Sequence, residues 1–280
     1  GFRQSTEVLA TNPLRVVLGP PAAGRMKVRF EDPLGETCDA RLLMDPPDEK
    51  SLHERVPRVQ LDGEHRVTML DCPLAADSEG MYRVSFRLID KTGRPVWSLP
   101  MTTFAVLDDF TRYAPDQLAA AWTVVPDGDP KIASEQSLAM ADAPAGAPIQ
   151  AKKTLALSYR MDAGWKFLSI MPKEGIQTAI KGRPKSLVYC VYGNDSGDHL
   201  VARFVDSTGQ VHQTSAGPVD FKGWRQVRLP MEGPNIAHWG GANDGVIHYP
   251  IRWDSPIMVD GAKRAHEPTQ LLFTSPMVVY

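Results

Sequence analysis

The stretch "VYCVYGNDSGDHLVARFVD" runs from Val188 to Asp206. Its ends look like strands: "LVARFVD" alternates apolar and polar positions, the pattern of a half-buried sheet. Its middle, Gly193 to Asp198, sets Asn194, Asp195 and Asp198 among glycines. Three uses fit such a segment: a metal loop, a pair of catalytic acids, or a connection between strands. A calcium loop of the EF-hand type needs alternating oxygen donors and a glutamate at its twelfth position. Both are missing. A glycosidase pair needs carboxyls on opposite sides of a sugar, and Asp195 and Asp198 stand too close together in one turn to be assigned to either side. Glycine and asparagine tolerate positive φ. The favoured expectation is therefore a hairpin-like connection, with ligand contact and metal binding as lesser alternatives.

Working outward, strand-like runs fill the chain. Upstream lie "LRVVLGP", "MKVRFEDPLG", "CDARLLMD", "HRVTMLD", "GMYRVSFRLIDKTGRPV" and "TTFAVLDD". Val84, Phe86 and Leu88 alternate with Arg83, Ser85 and Arg87, giving one apolar and one wet face. Gly93 marks a hairpin-like turn. Near "VLDDFTRY" (106–113) this pattern yields to charges and then to the one short helix-like piece, "APDQLAAAW". A second series follows: "KTLALSYRM", "WKFLSIMP", "SLVYCVYG", "LVARFVD", "VHQTSAGPVDF", "WRQVRLPM", "PIMVD" and "QLLFTSPMVVY". "MADAPAGAPIQAKK" (140–153) reads as a loose loop. The fold class expected is all-β, with a β-sandwich domain over 1–107 and a second sandwich, a jelly roll, over 108–280.

Composition sets limits on function. The chain has 280 residues, 42% hydrophobic and 23% charged, as in soluble globular proteins. A formal net charge of -2 argues against nucleic acid or an anionic membrane as partner. No apolar run approaches the ~20 residues of a spanning helix. No signal-peptide pattern opens the chain, and it starts Gly1-Phe2 without Met, as a processed chain or a piece of a longer protein would. Three cysteines are too few for a disulfide framework. Cys38 and Cys72 can pair only if their strands are neighbours, and Cys190 reads as core. The seven histidines show no HxH or HExxH spacing, and GxSxG, P-loop and GxGxxG motifs are absent. No glutamate of the second half is placed as a glycosidase acid would be.

Two resemblances add to this. "GMYRVSFRLIDKTGRPV" looks like the penultimate strand of bacterial immunoglobulin-like or fibronectin-like modules. Residues 109–280 resemble the galactose-binding-like jelly rolls that serve as carbohydrate-binding modules beside bacterial glycoside hydrolases and polysaccharide lyases. The stretches that carry this, in order, are "DDF", "LALSYRMDAGWKFLSI", "GRPKSLVYCVYGNDSGDHLVARFVDSTGQ", "VDFKGWRQVRLPM", and "HWGGANDGVIHYPI" followed by "IMVDG". The resemblance implies that "GNDSGD" links adjacent strands and that Trp224 is a core residue. It also implies one structural calcium, with Asp109 and Asp260 as contributors. Thr274 and Ser275 stand where an acidic residue of the last strand is usual. It further implies a polysaccharide or oligosaccharide partner, a catalytic domain in the same polypeptide, and an extracellular, periplasmic or cell-surface setting.

The ligand candidates follow from sugar chemistry. Aromatic rings cover the apolar C–H faces of sugars while polar groups take the hydroxyls. "HWGGANDGVIHYP" (238–250) gathers Trp239 with His238, Asn243, Asp244 and His248. Trp165 is either rim or core. Trp253 adjoins Arg252, which pairs with an acidic sugar or is simply a solvated arginine. The alternative for Trp239 is a plug at the end of the sandwich. The function expected is non-catalytic carbohydrate binding with an Ig-like spacer. The alternatives are the β-sandwich portion of a glycoside hydrolase or polysaccharide lyase, and a surface adhesion module that binds protein.

Overall fold

Strand chemistry persists through nearly the whole chain. A computed structural model describes residues 15–21, 24–31, 38–44, 58–61, 67–74, 76–89, 95–147, 152–173 and 178–280. The chain divides into two compact units, Gly1–Ala105 and Val106–Tyr280. No described helix is long and apolar enough to cross a membrane.

The first unit holds β1 (Arg15–Leu18), β2 (Arg25–Glu31), β3 (Cys38–Met44), β4 (Arg58–Leu61), β5 (Val67–Pro73), β6 (Tyr82–Ile89) and β7 (Pro95–Val106). Among the described residues one sheet runs β1-β2-β5, and a second set pairs β4-β3-β6-β7. All these pairings are antiparallel. Met26, Val28, Val84 and Phe104 are buried, and the Phe104 ring stacks on Tyr82 at 5.4 Å. Ile89 pairs with Pro95, so β6 and β7 form the expected hairpin, although the turn around Gly93 lies outside the described residues. So do the side chains of Cys38, Cys72, Phe86, Leu88 and Trp97. Among the described pairings Cys38 stands opposite Leu61 and Cys72 opposite Met26, on strands not paired with each other.

The second unit begins with a 3-10 turn (Phe110–Arg112) and a four-residue α1 (Leu118–Ala121). It continues with β8 (Trp122–Gly128), β9 (Ser134–Asp142), β10 (Lys153–Met161), β11 (Lys166–Pro172), β12 (Ala179–Ile180), β13 (Ser186–Asn194) and β14 (His199–Val205). Then come β15 (Val211–Pro218), β16 (Lys222–Pro230), β17 (Ala237–Trp239), β18 (Ile251–Asp260), β19 (His266–Phe273) and β20 (Met277–Val279). In one sheet β16 lies along one edge of β13. β20 and β19 share the other edge, and β10 and β9 continue outward. The other sheet runs β17-β15-β14-β18-β11-β8, with β12 alongside the start of β18. This is the jelly-roll sandwich expected for the second half.

The core takes alternate residues from both sheets. Leu155, Leu157, Leu187, Tyr189, Val191, Leu271 and Phe273 meet Leu168, Ile170, Leu200, Ala202, Phe204, Trp253, Ile257 and Val259. Residues on the other face of each strand point away from that layer.

Two expectations change here. β8 and β9 carry the weak strand signals "TVVPDG" and "SEQSLAMAD". Ala, Ser, Gln and Glu have modest β-propensity, yet Leu157 pairs with Leu138 and Leu155 with Met140, seating β9 as a sheet edge. β9 thus runs through Asp142, into the stretch expected to be loop. Second, "GNDSGD" is not a hairpin. β13 pairs with β16, while β14 pairs with β15 and β18. The segment carries the chain from one sheet to the other. Asp195 and Gly197 do adopt positive φ, at 61° and 74°.

Candidate functional site

The outward face of the β17-β15-β14-β18-β11-β8 sheet has an unusual floor. On β14, Leu200, Ala202 and Phe204 enter the core, so Val201 and Arg203 face the other way. Val201 joins Phe167 and Met258 in a small apolar cluster of its own, separate from the main core. An apolar patch under a polar side chain is covered by that side chain's own stem, and Arg203 supplies the cover. Its guanidinium carbon lies 5.3 Å from the Phe167 ring centroid and 5.3 Å from that of Trp239. Nε donates to Gln213 Oε1 at 2.7 Å, and Nη1 donates to Asp127 Oδ2 at 2.7 Å. The Arg203 side chain is only 13% exposed.

Two indoles flank this floor. Trp239, on edge strand β17, is 41% exposed; Trp165, just before β11, is 57% exposed and meets Phe167 edge-on at 5.6 Å. Trp165, Phe167, Arg203 and Trp239 therefore chain across the sheet in steps of 5.3 to 5.6 Å. Asp127 and Gln213 add acceptor and amide groups beside them. The hydrogen bond from Arg203 is the main reason that the Asp127 carboxyl is held below its usual range; partial burial opposes the shift, and Gly128 N–H reinforces it. The carboxylate is half exposed and keeps lone pairs for a ligand hydroxyl.

The loop 238–250 borders this face, and most of its polar groups hold the loop itself. Its anchor is Asp206, at the turn between β14 and β15. The carboxylate accepts from Thr208 N, Thr208 Oγ1, Gln210 N and His248 N at 2.7 to 3.2 Å, and His212 Nε2 lies 3.2 Å away. Desolvation resists ionisation here, but these donors outweigh it and keep the carboxyl well below the usual range. Gln210 clasps the loop by accepting from Gly245 N and donating to Val246 O. His238 Nδ1 lies 3.1 Å from Asn243 Oδ1, and His248 Nε2 lies 2.9 Å from Asp244 Oδ2. The Asp244 carboxyl is lowered chiefly by Val246 N–H and then by His248. Gly241, at φ 48°, passes so close to Gln210 that an added Cβ would lie 2.2 Å from its backbone nitrogen. Four candidates, His238, Asn243, Asp244 and His248, are thus brought together with Trp239, paired among themselves.

Several predicted placements are corrected. Trp253 is 2% exposed and packs edge-on against Phe204 at 6.4 Å, inside the core, where no ligand reaches it. Its neighbour Arg252 is exposed, opposite Val205 and Ala179. Trp224 is half-buried, not core: it lies against Tyr192 at 5.4 Å and donates to Pro144 O.

The two expected calcium contributors are each engaged locally. Asp109 accepts from Thr111 N and Thr111 Oγ1, and Asp260 from Ala262 N, so each closes its own turn. Asp108, beside Asp109, accepts from Trp122 Nε1, and Trp122 lies opposite Pro172, at the end of β11 far from Phe167 and its partner Asp260. Pro172 and Phe167 are about 16 Å apart along β11. Among the described residues no group of three or more His, Cys, Asp or Glu could hold a metal ion.

The crossover 193–198 serves as a connection between strands, from one sheet to the other, and it also carries a buried polar cluster. Asp198 is fully buried, accepts a short hydrogen bond from Tyr159 Oη, and its Oδ1 lies 2.7 Å from His266 Nε2. Burial raises its carboxyl pKa, while Tyr159 and His266 pull the other way. Asn194 donates to Tyr159 Oη and to Thr269 Oγ1. These groups tie β10, β13 and β19 to the crossover.

Phe167, Arg203, Asp127 and Gln213 were not foreseen as site residues. The only trace in the sequence is that "LVARFVD" places Arg203 on the face opposite Phe204; the partners come from strands far apart in the chain.

No family model matches the chain, and no curated protein sequence matches it. Among solved structures it is similar to the family 11 carbohydrate-binding module of the cellulosomal cellulase Lic26A-Cel5E of Clostridium thermocellum, with 8% identity and a TM-score of 0.39, over 62% of this chain and 93% of that one. It is also similar to a family 11 module from Clostridium thermocellum in complex with a β-1,3-1,4-mixed-linked tetrasaccharide, with 8% identity and a TM-score of 0.40, over 62% and 94%.

Proposed function

We propose that the second unit binds a polysaccharide or oligosaccharide on the outward face of its β17-to-β8 sheet, between Trp165 and Trp239. The observation that carries this is the pair of exposed indoles on either side of the Phe167–Arg203 floor. Exposed aromatic faces match the C–H faces of sugar rings, and Asp127 and Gln213 offer hydrogen bonds to hydroxyls. Such a site binds and positions a sugar chain. Carbohydrate binding agrees with the resemblance of residues 109–280. It is also the role printed for the two solved modules above.

The wider expectations attach to this proposal. A glycan ligand suits an extracellular, periplasmic or cell-surface protein, with the first unit as an Ig-like spacer and a catalytic domain elsewhere in the same polypeptide. One structural calcium, with Asp109 and Asp260 among its contributors, is a separate proposal; calorimetry with calcium and EDTA tests for it.

A glycan array followed by affinity electrophoresis tests the central proposal. Retardation by at least one polysaccharide is expected, and Trp165→Ala and Trp239→Ala are each expected to weaken it about tenfold, as loss of one stacked ring does. No retardation by any polymer defeats the proposal.

A further inference from the structure

Arg203 stands at the centre of the site but has little surface of its own to offer. We infer that it is a positioning residue, whose guanidinium fixes the plane of Trp239 against the sheet instead of contacting the ligand. This rests on the glycan-binding proposal for the purpose of the positioning, although the positioning itself is a property of the free protein.

Trp239 needs such a support. It ends β17, a three-residue edge strand that among the described residues pairs only with β15, through Val211–Trp239, His212–His238 and Gln213–Ala237. The next residues, Gly240 and Gly241, both have positive φ, so the chain turns away at once and gives the indole no second strand to lean on. An exposed ring on a short edge strand samples several rotamers unless something fills the space behind it. Arg203 fills that space. Its guanidinium is within cation–π range of Trp239 on one side and of Phe167 on the other. Asp127 and Gln213 hold two of its three nitrogens at 2.7 Å, from β8 and β15 respectively. The planar group is thus clamped by two hydrogen bonds, which lysine, a point charge on a flexible stem, cannot reproduce. Through Phe167, which also meets Trp165 at 5.6 Å, the same residue links the two indoles.

Fluorescence of the whole, unliganded chain tests this. Arg203→Met keeps the stem over Phe167 and removes the guanidinium. Acrylamide quenching of Trp239 is isolated as the difference between each protein and its Trp239→Phe counterpart. Arg203→Met is expected to raise that quenching about twofold and to red-shift the Trp239 emission, with Arg203→Lys restoring little of it. In the Trp239→Phe background Arg203→Met should change quenching far less. Binding to the polysaccharide found on the array should fall about fivefold. Unchanged Trp239 quenching in a folded Arg203→Met protein overturns the inference. If binding falls while quenching stays the same, Arg203 contacts the ligand directly, and the inference is equally overturned. If no glycan binds the wild type, the functional proposal fails, while the quenching arm still decides whether Arg203 holds the ring.

Discussion

Trp165 precedes β11 and Trp253 lies within β18, both strands rich in apolar residues, yet one indole is open to solvent and the other is sealed against Phe204. Their substitutions should behave oppositely. Trp253→Ala leaves a cavity in the core and is expected to cost about 3–5 kcal/mol, whereas Trp165→Ala is expected to stay within about 0.5 kcal/mol of wild type. Urea denaturation measures both. Asp206 gives a second test at this scale. Its carboxyl is lowered in the folded chain by the donors of Thr208, His212 and His248, against the opposing effect of burial. A depressed folded pKa means that its stabilisation is fully present above the unfolded value of about 3.9 and is lost as pH falls below it. The wild type should therefore lose stability on acidification below about pH 4. Asp206→Asn should be less stable at neutral pH, and the gap should narrow as pH falls. A gap that stays constant from pH 7 to pH 3 counts against this account of the loop anchor.

Among the elements, the β13–β14 crossover shows what a sequence pattern can hide. "GNDSGD" has the composition of a turn, and Asp195 and Gly197 within it do take positive φ. The next strand, however, belongs to the opposite sheet, and Asp198 turns inward to Tyr159 and His266. Alternation identifies strands, but it does not say which strand lies beside which, because pairing between β13 and β16 is set by contacts distant in the chain. Asp198→Ala strips two buried groups of their shared partner and is expected to destabilise the chain by about 3–5 kcal/mol; Asp198→Asn, which keeps an acceptor for Tyr159, should cost less. Denaturation midpoints of the two variants check the order. The loop 238–250 was the more legible element. Its aromatic, glycine and polar residues do gather at one place, but most of the polar groups turn out to serve the loop. Gly241→Ala, at φ 48° and in close approach to Gln210, should cost more than about 1 kcal/mol and loosen that loop.

For the molecule as a whole, the all-β class and the sandwich of the second unit were readable from periodicity, since each strand must bury one face. The site was readable only in part. Trp165 and Trp239 could be picked out as aromatics, but 74 positions separate them, and the residues between them on the sheet, Phe167 and Arg203, are unremarkable in sequence. Their meaning comes from the order β17-β15-β14-β18-β11-β8, which sets six strands side by side. Asp109 and Asp260, which the resemblance grouped as calcium contributors, each close a turn of their own in the fold. The central claim, that glycan is held between the two exposed indoles, is tested most directly by isothermal titration with an oligosaccharide of the polymer found on the array. Wild type is expected to bind with a measurable heat, and the Trp165→Ala, Trp239→Ala double variant, still folded, is expected to give none. Undiminished binding by the folded double variant would contradict the claim.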